Sequence, residues 1–450
     1  MRKATTYVII VLGLFLNSCQ QEVVKYLPGG ERKSGSWFEP SPYGMVYIPR
    51  GSYQIGPSDD EANATPTSTK SVSVESFWMD DTEITNNEYR QFIHWVRDSI
   101  ARRLLGETYP DYIITEAANG RPLENPRLNW LEEIEWDNPD YQMAMEELYI
   151  PEEERLAFRK EVDTRKLIYE YYWIDFKQAA RRSNSYNYET QQYQGTVVNQ
   201  DGETVPIVNR SSFLMHDMVP VYPDTLSWIR DFDYTYNEPF TLKYFSHPAF
   251  DDYPVIGVTW KQAKAFCNWR TELKKVFSSR LNVTPAHDYR LPTETEWELA
   301  ARGGLHNSMY PWGSYYTRND RGCFVANFKP MRGNYVADSP TTTVTMRGGS
   351  FDPNNFGLYD MAGNAAEWTS TAFYESAYNI INDLNPEIQY NAKPDDPPAM
   401  KRKVIRGGSW KDIKYFIRTS TRSFEYQDTA KSYIGFRCVR TSFKNSLQGQ

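Results

Sequence analysis

Three short boxes constrain this chain more than any other feature. Each pairs a threonine with a Glu or Gln three residues on, ahead of an apolar stripe. The boxes are Thr85-x-x-Glu88, Thr259-x-x-Gln262 and Thr293-x-x-Glu296. In such a box the threonine side chain accepts from the N3 amide, and the N3 side chain reaches back to the cap amide, so each fixes a helix start. Behind the first, Tyr89, Phe92, Ile93, Val96, Ile100 and Leu104 recur at helical spacing. Behind the second lie Ala263, Phe266, Cys267 and Leu273. Behind the third, Trp297, Ala300 and Ala301 lead to a Gly303-Gly304 stop. A strand, a turn at Arg50-Gly51 and more alternation (GMVYIPRGSYQIG, from Gly44) precede them. Helices and strands thus mix as α+β.

The remaining composition suits an ordered protein. The chain has 450 residues with 33 Tyr and 13 Trp, and disordered chains are poor in aromatics. Its first residues read as an address: Arg2 and Lys3, then the apolar run Tyr7 to Leu16, about 10 residues long. That is too short to span a bilayer, which takes roughly 20. Residues 1–18 read as a signal peptide ending Leu16-Asn17-Ser18-Cys19, similar to a bacterial lipobox, with Cys19 as the lipidation site. Gln20 does not resemble an inner-membrane retention signal, so the expected location is the periplasmic face of the outer membrane. Cleavage would move the formal charge from -8 to -10 by removing Arg2 and Lys3. An acidic chain without a basic run argues against nucleic acid as partner. Residues 19–43 read as a polar tether and 441–450 as a polar tail. Cys267, Cys323 and Cys438 show no zinc spacing. They read as buried free thiols, with one disulfide possible and its pair left open.

Several strings together resemble one family. RLPTETEWELAARGG (290–304), YPWG (310–313), FGLYDMAGNAAEWTS (356–370) and RGGSW followed by GFR in 406–437 closely resemble the landmarks of the formylglycine-generating-enzyme, or sulfatase-modifying factor, family, in order. The resemblance covers residues 44–440. It implies a C-type-lectin-related fold low in regular secondary structure and stabilised by calcium. Ordinary members join the first two helices by a short connection. Here about 150 aromatic-rich residues, 98–245, intervene. A structureless loop of that length is improbable, so this large insertion is expected to fold onto the core and present a partner surface. Residues 372–400, with Pro397-Pro398, read as a long surface loop.

The family's oxidases bind copper through two cysteines inside the RGGSW–GFR frame. The matching positions hold Asp412 and Ile417. Cu(I) needs soft thiolates, and Ile has no ligand atom. The expectation is no catalytic residue, no copper and no enzyme activity. His94, His216, His247, His287 and His306 form no metal-ligand spacing. Calcium, which takes hard oxygens, is the metal the resemblance implies. Carried over, one loop would supply Asp360 and Glu367 side chains with Gly363 and Ala365 carbonyls. A second would use Asn327, Phe328, Asp338 and Pro340.

The lipobox, the WFEPSPYGMVYIPRGSYQIGPSDDEA opening, the FWMDDTEITNNEYRQF string and the insertion together resemble GldK/PorK-type lipoproteins of the type IX secretion and gliding machinery of Bacteroidetes. That likeness implies a homo-oligomeric periplasmic ring with a GldN/PorN-type partner, linked to a GldL/GldM-type motor and outer-membrane translocon components. The alternatives are a metal-dependent oxidase or modifier of secreted proteins, and a glycan- or peptidoglycan-binding module.

Overall fold

The computed structural model describes residues 39–57, 69–117, 119–199, 202–232, 241–280, 286–330 and 344–443. The expected signal peptide, Cys19 and nearly all of the expected tether lie outside these residues. From Ser41 onward the chain forms one compact unit.

All three boxes start helices. Thr85 and Glu88 cap Asn86–Thr108, and Thr293 and Glu296 cap Glu294–Arg302. The Thr259 amide donates to Gln262 Oε1 at 2.8 Å and the Gln262 amide to Thr259 Oγ1 at 3.2 Å, ahead of Trp260–Arg280. The third helix stops at Gly303, in the left-handed region. The two long helices pack their apolar faces into one core, where Tyr89 stacks on Phe266 at 5.7 Å.

A four-stranded antiparallel sheet orders Met45–Ile48, Phe77–Asp80, Val439–Thr441 and Tyr289–Arg290. The last described strand, Val439–Thr441, thus sits between Phe77–Asp80 and Tyr289–Arg290. A second sheet orders Ser423–Tyr426, Arg402–Arg406, Ala366–Ala372 and Ile434–Gly435. Its parallel pair sets Glu367 opposite Gly435, which brings the RGGSW–GFR frame against the 360–367 loop.

Several segments between residues 109 and 221 share the main core. Tyr112, Met145, Leu148, Leu167, Tyr169 and Val219 are buried in the cluster that holds Tyr89 and Phe266. At its centre Ile168–Ile174 pairs antiparallel with Leu214–Pro220, with Tyr172 opposite His216. Side chains alternate across such a ladder. Tyr169 and Tyr171 face inward, and Tyr169 meets Phe92 edge-on at 5.3 Å. The other face exposes Ile168, Tyr172, Ile174, Leu214 and Met218, the last at 58%.

The 372–400 stretch is more anchored than a surface loop. Ala377 and Tyr378 are buried with Ile55 and Val72, and Thr295 Oγ1 donates to the Pro386 carbonyl at 3.1 Å. Apolar anchors within a polar stretch explain the difference.

Candidate functional site

The region around positions 412 and 417 is closed by packing. Gly408 has φ 65°, and a Cβ there would lie 2.7 Å from the Phe416 carbonyl oxygen. That close approach folds 408–417 into a tight loop. Asp412 Oδ2 accepts from the Ser409 amide at 3.0 Å and its hydroxyl at 2.7 Å, while Oδ1 meets Lys411 Nζ at 3.0 Å. Asp412 is therefore a turn-forming residue. Ile417 is fully buried among Tyr310, Ala326, Phe328 and Ala362. An aliphatic side chain thus closes this cluster.

The frame itself is held by two buried ion pairs. Arg437 of the GFR string meets Glu367 through Nη2–Oε1 at 2.6 Å and Nε–Oε2 at 2.8 Å, and Trp297 Nε1 donates to the same Oε2 at 2.8 Å. Arg406 of the RGGSW string pairs with Glu298 of the Glu294–Arg302 helix, and its Nη1 donates to the Ser420 and Thr421 carbonyls at 2.8 Å. All four charged side chains are fully buried.

Beside Arg437 lie two more carboxylates. Glu83, buried, accepts at Oε1 from Asn364 Nδ2 at 3.1 Å and the Ala365 amide at 3.3 Å. Its Oε2 is buried with no hydrogen-bond partner. Asp360, with φ 54°, accepts from the Gly349 amide at 2.7 Å. Burial pushes the Glu83 carboxyl well above its usual range, and the nearby Asp360 pushes the same way against the pull of Arg437. Burial raises Asp360 to about 6, opposed by the Gly349 N–H and Arg437. Three carboxylates thus face one guanidinium.

Asn364 joins this cluster to the other loop. Its amide donates to the Asn327 carbonyl at 2.8 Å, and its Oδ1 accepts from Asn327 Nδ2 at 3.3 Å and the Met346 amide at 2.7 Å. Gly363 is required there, since a Cβ would fall 2.2 Å from the Asn327 oxygen. The structure therefore brings together Asp360, Gly363, Ala365, Glu367 and Asn327, with Phe328 buried alongside. Asp338 and Pro340 lie outside the described residues. Glu367 differs from its expected role, because both of its oxygens serve Arg437 and Trp297. Glu83 and Asn364 were missed: Glu83 meets Asn364 across a separation of 281 residues, which no local motif reveals.

The Sulfatase-modifying factor enzyme 1-like domain matches residues 37–442. The chain belongs to that family. Formylglycine-generating enzyme of Bos taurus is 34% identical over 200 residues, 42% of this chain and 44% of that protein. Inactive C-alpha-formylglycine-generating enzyme 2 of Bos taurus is 32% identical over 194 residues, 42% of this chain and 50% of that protein. The chain spans half or less of the length of these curated relatives. A solved structure titled PvdO from Pseudomonas aeruginosa aligns over 88% of this chain and 94% of its own, at 15% identity and a TM-score of 0.43. The relatives thus include one named as a formylglycine-generating enzyme and one named as inactive. Among the described residues no group of three or more His, Cys, Asp or Glu is arranged to hold a metal, and no helix is long and apolar enough to cross a membrane.

The carboxylate cluster still fits calcium by its chemistry. Its donors are hard oxygens, its three carboxyls outnumber the one guanidinium, and Glu83 Oε2 lacks a donor. Glu83 and Asp360 are the side chains that would hold the ion, beside the backbone oxygens of the 360–367 loop.

Proposed function

We propose that this protein is a non-catalytic, lipid-anchored structural component of the type IX secretion and gliding machinery, held at the periplasmic face of the outer membrane through Cys19. The observation that carries the inert reading is Ile417, an aliphatic residue packed in a closed aromatic cluster at a position where the family's chemistry needs a thiolate. The frame around it has a second use: its two arginines tie the sheet and helix together through Glu367 and Glu298. Structural calcium at Glu83 and Asp360 fits the same role.

The location and partners rest on the lipobox and the whole-chain likeness to GldK/PorK-type lipoproteins. Residues 98–245 form an insertion in this reading. Its outward ladder face, with Tyr172 exposed at 53% and Met218 at 58%, supplies apolar area of the kind that marks protein contacts. A GldN/PorN-type partner would assemble with it into a ring linked to a GldL/GldM-type motor and the translocon.

Co-purification in mild detergent followed by imaging tests the assembly, and rings containing this chain are the expected result. A Cys19→Ala chain should leave the membrane fraction. If it still sediments wholly with outer membrane, the anchor is wrong. Stoichiometric copper or iron with oxygen consumption would overturn the inert reading in favour of a metal-dependent oxidase.

A further inference from the structure

A second site lies on the inward ladder face, where the strands Ile168–Ile174 and Leu214–Pro220 meet the Trp260–Arg280 helix. A cleft of about 70 Å³ opens between Tyr171, Trp173 and Asp217 on the ladder, Trp260 and Lys264 on the helix, and Asn391 and Gln427 on the late loops. Its walls are aromatic and its polar groups come from four separate segments.

Two ammonium groups flank Trp260. Lys264 Nζ stands 4.7 Å from the Trp260 ring centroid and 5.4 Å from that of Trp173. Lys403 Nζ stands 4.0 Å over Trp260, and its side chain is fully buried. Neither lysine forms an ion pair among the described residues. Lys403 donates to the Tyr390 carbonyl, and Lys264 reaches only Asn391 Oδ1, at 3.5 Å. Charges removed from water without a counter-ion are costly. Burial accordingly depresses both amines, Lys264 to about 8 and Lys403 to about 7, with Lys261 adding to the effect on Lys264 and Lys264 to that on Lys403. Acidic groups in the surroundings compensate in part: Asp217 and Glu387 act on Lys264, and Asp428 and Glu387 on Lys403.

Gln427 supplies an independent observation. Its side chain is 1% exposed, and Nε2 donates to the Ala392 carbonyl at 2.8 Å. Its Oε1 is buried with no donor, in a residue that lines the cleft. A buried acceptor without a donor is destabilising. A ligand that satisfies it must bring an O–H or N–H, and one that satisfies Lys264 must bring an anion.

We propose that this cleft binds a small hydroxylated carboxylate, such as a uronic acid unit, with its carboxylate against Lys264 and a hydroxyl donating to Gln427 Oε1. The enclosed volume takes the carboxylate and its adjoining hydroxyl, and the rest of the sugar ring lies in the open mouth beside Trp173. Asp217 and Asn391 are placed to meet further hydroxyls. This site is separate from the carboxylate cluster and does not depend on the scaffold reading.

Titration calorimetry of the full purified chain with D-glucuronate, D-glucose and acetate tests it. Glucuronate should saturate, with glucose and acetate each at least about 10-fold weaker, since each lacks one of the two groups recognised. Lys264→Gln should weaken glucuronate by about 10-fold or more and leave glucose unchanged, because the lost contact is to the charge. Asn391→Ala, at an exposed loop residue, should weaken both sugars by a smaller factor, and thermal melts confirm that each variant is folded. The proposal is overturned if glucuronate gives no saturable heat, if glucose binds as tightly, or if folded Lys264→Gln keeps the wild-type affinity.

Discussion

Arg437 and Glu367 form a fully buried two-point ion pair, Nη2–Oε1 at 2.6 Å and Nε–Oε2 at 2.8 Å, that joins the GFR string to the 360–367 loop. Removing one partner of such a pair strands a charge, at a cost of about 3–5 kcal/mol. Glu367→Gln should therefore lower the unfolding free energy measured by urea titration by that amount. An exposed pair serves as contrast. Arg347 and Asp252 meet at 2.7 Å with side chains 68% and 59% exposed, so Arg347→Ala should cost less than about 1 kcal/mol. Equal losses in the two variants would show that the buried pair is not a structural tie.

Calcium should stabilise the fold through Glu83. Binding to the native state adds about 2.7 kcal/mol when the free ion is at 100 times its dissociation constant. Scanning calorimetry in calcium against chelator should show a higher melting temperature with the ion. Glu83→Gln removes the carboxylate whose Oε2 lacks a donor, and should abolish most of that shift. Asp412→Ala, in a turn held by Ser409, should keep it. A melting temperature indifferent to chelation in the native chain would remove calcium from this site.

Cys267 and Cys438 stand 3.5 Å apart, sulfur to sulfur, and both are buried. Burial and the neighbouring Cys267 raise the Cys438 thiol well above its usual range. Closure to a disulfide needs a separation of about 2.05 Å, a short movement for two side chains in contact. Their separation of 171 residues makes the closed loop long, and loops of 100 residues or more gain roughly 4–5 kcal/mol in the chain-entropy account. Of the three cysteines in the described residues, protein from an oxidising compartment should titrate one thiol, the exposed Cys323. Three titrating thiols in that material would show that the pair stays reduced.

What could be read in advance was local chemistry. The threonine boxes announced their helices because every atom of a capping box lies within four residues. The aromatic stripe on 89–104 announced a buried face by its period. Asp412 and Ile417 stand out from the frame alone, and the structure shows one holding a turn and the other buried. The rest depends on distant contacts. Glu367 reads as a free oxygen donor until Arg437, 70 residues on, is seen to occupy it. Glu83 looks like one more acid beside Asp80-Asp81 until Asn364 and Ala365 arrive to hold it. Tyr169 and Tyr172 carry the same side chain in one aromatic run, and only strand pairing sends one to the core and the other to solvent.

Lys403 should leave a signature in the pH dependence of stability. Its ammonium is fully buried over Trp260, and burial, reinforced by Lys264 and opposed by Asp428 and Glu387, lowers its pKa from 10.5 to about 7. Below about 7 the amine is charged in both folded and unfolded chains, and the folded state bears the full burial penalty. Between about 7 and 10.5 the unfolded chain holds the proton and the folded one releases it. Stability from this group therefore rises with pH across that window, by roughly 1 kcal/mol per unit. Lys403→Met keeps the stem against Trp260 and removes the charge. Its advantage over the native chain should be greatest near pH 6 and shrink steadily toward pH 10, when chemical denaturation midpoints of the two are compared. A difference that stays flat across the range would mean that Lys403 titrates at its ordinary value and that the ammonium is solvated through the cleft.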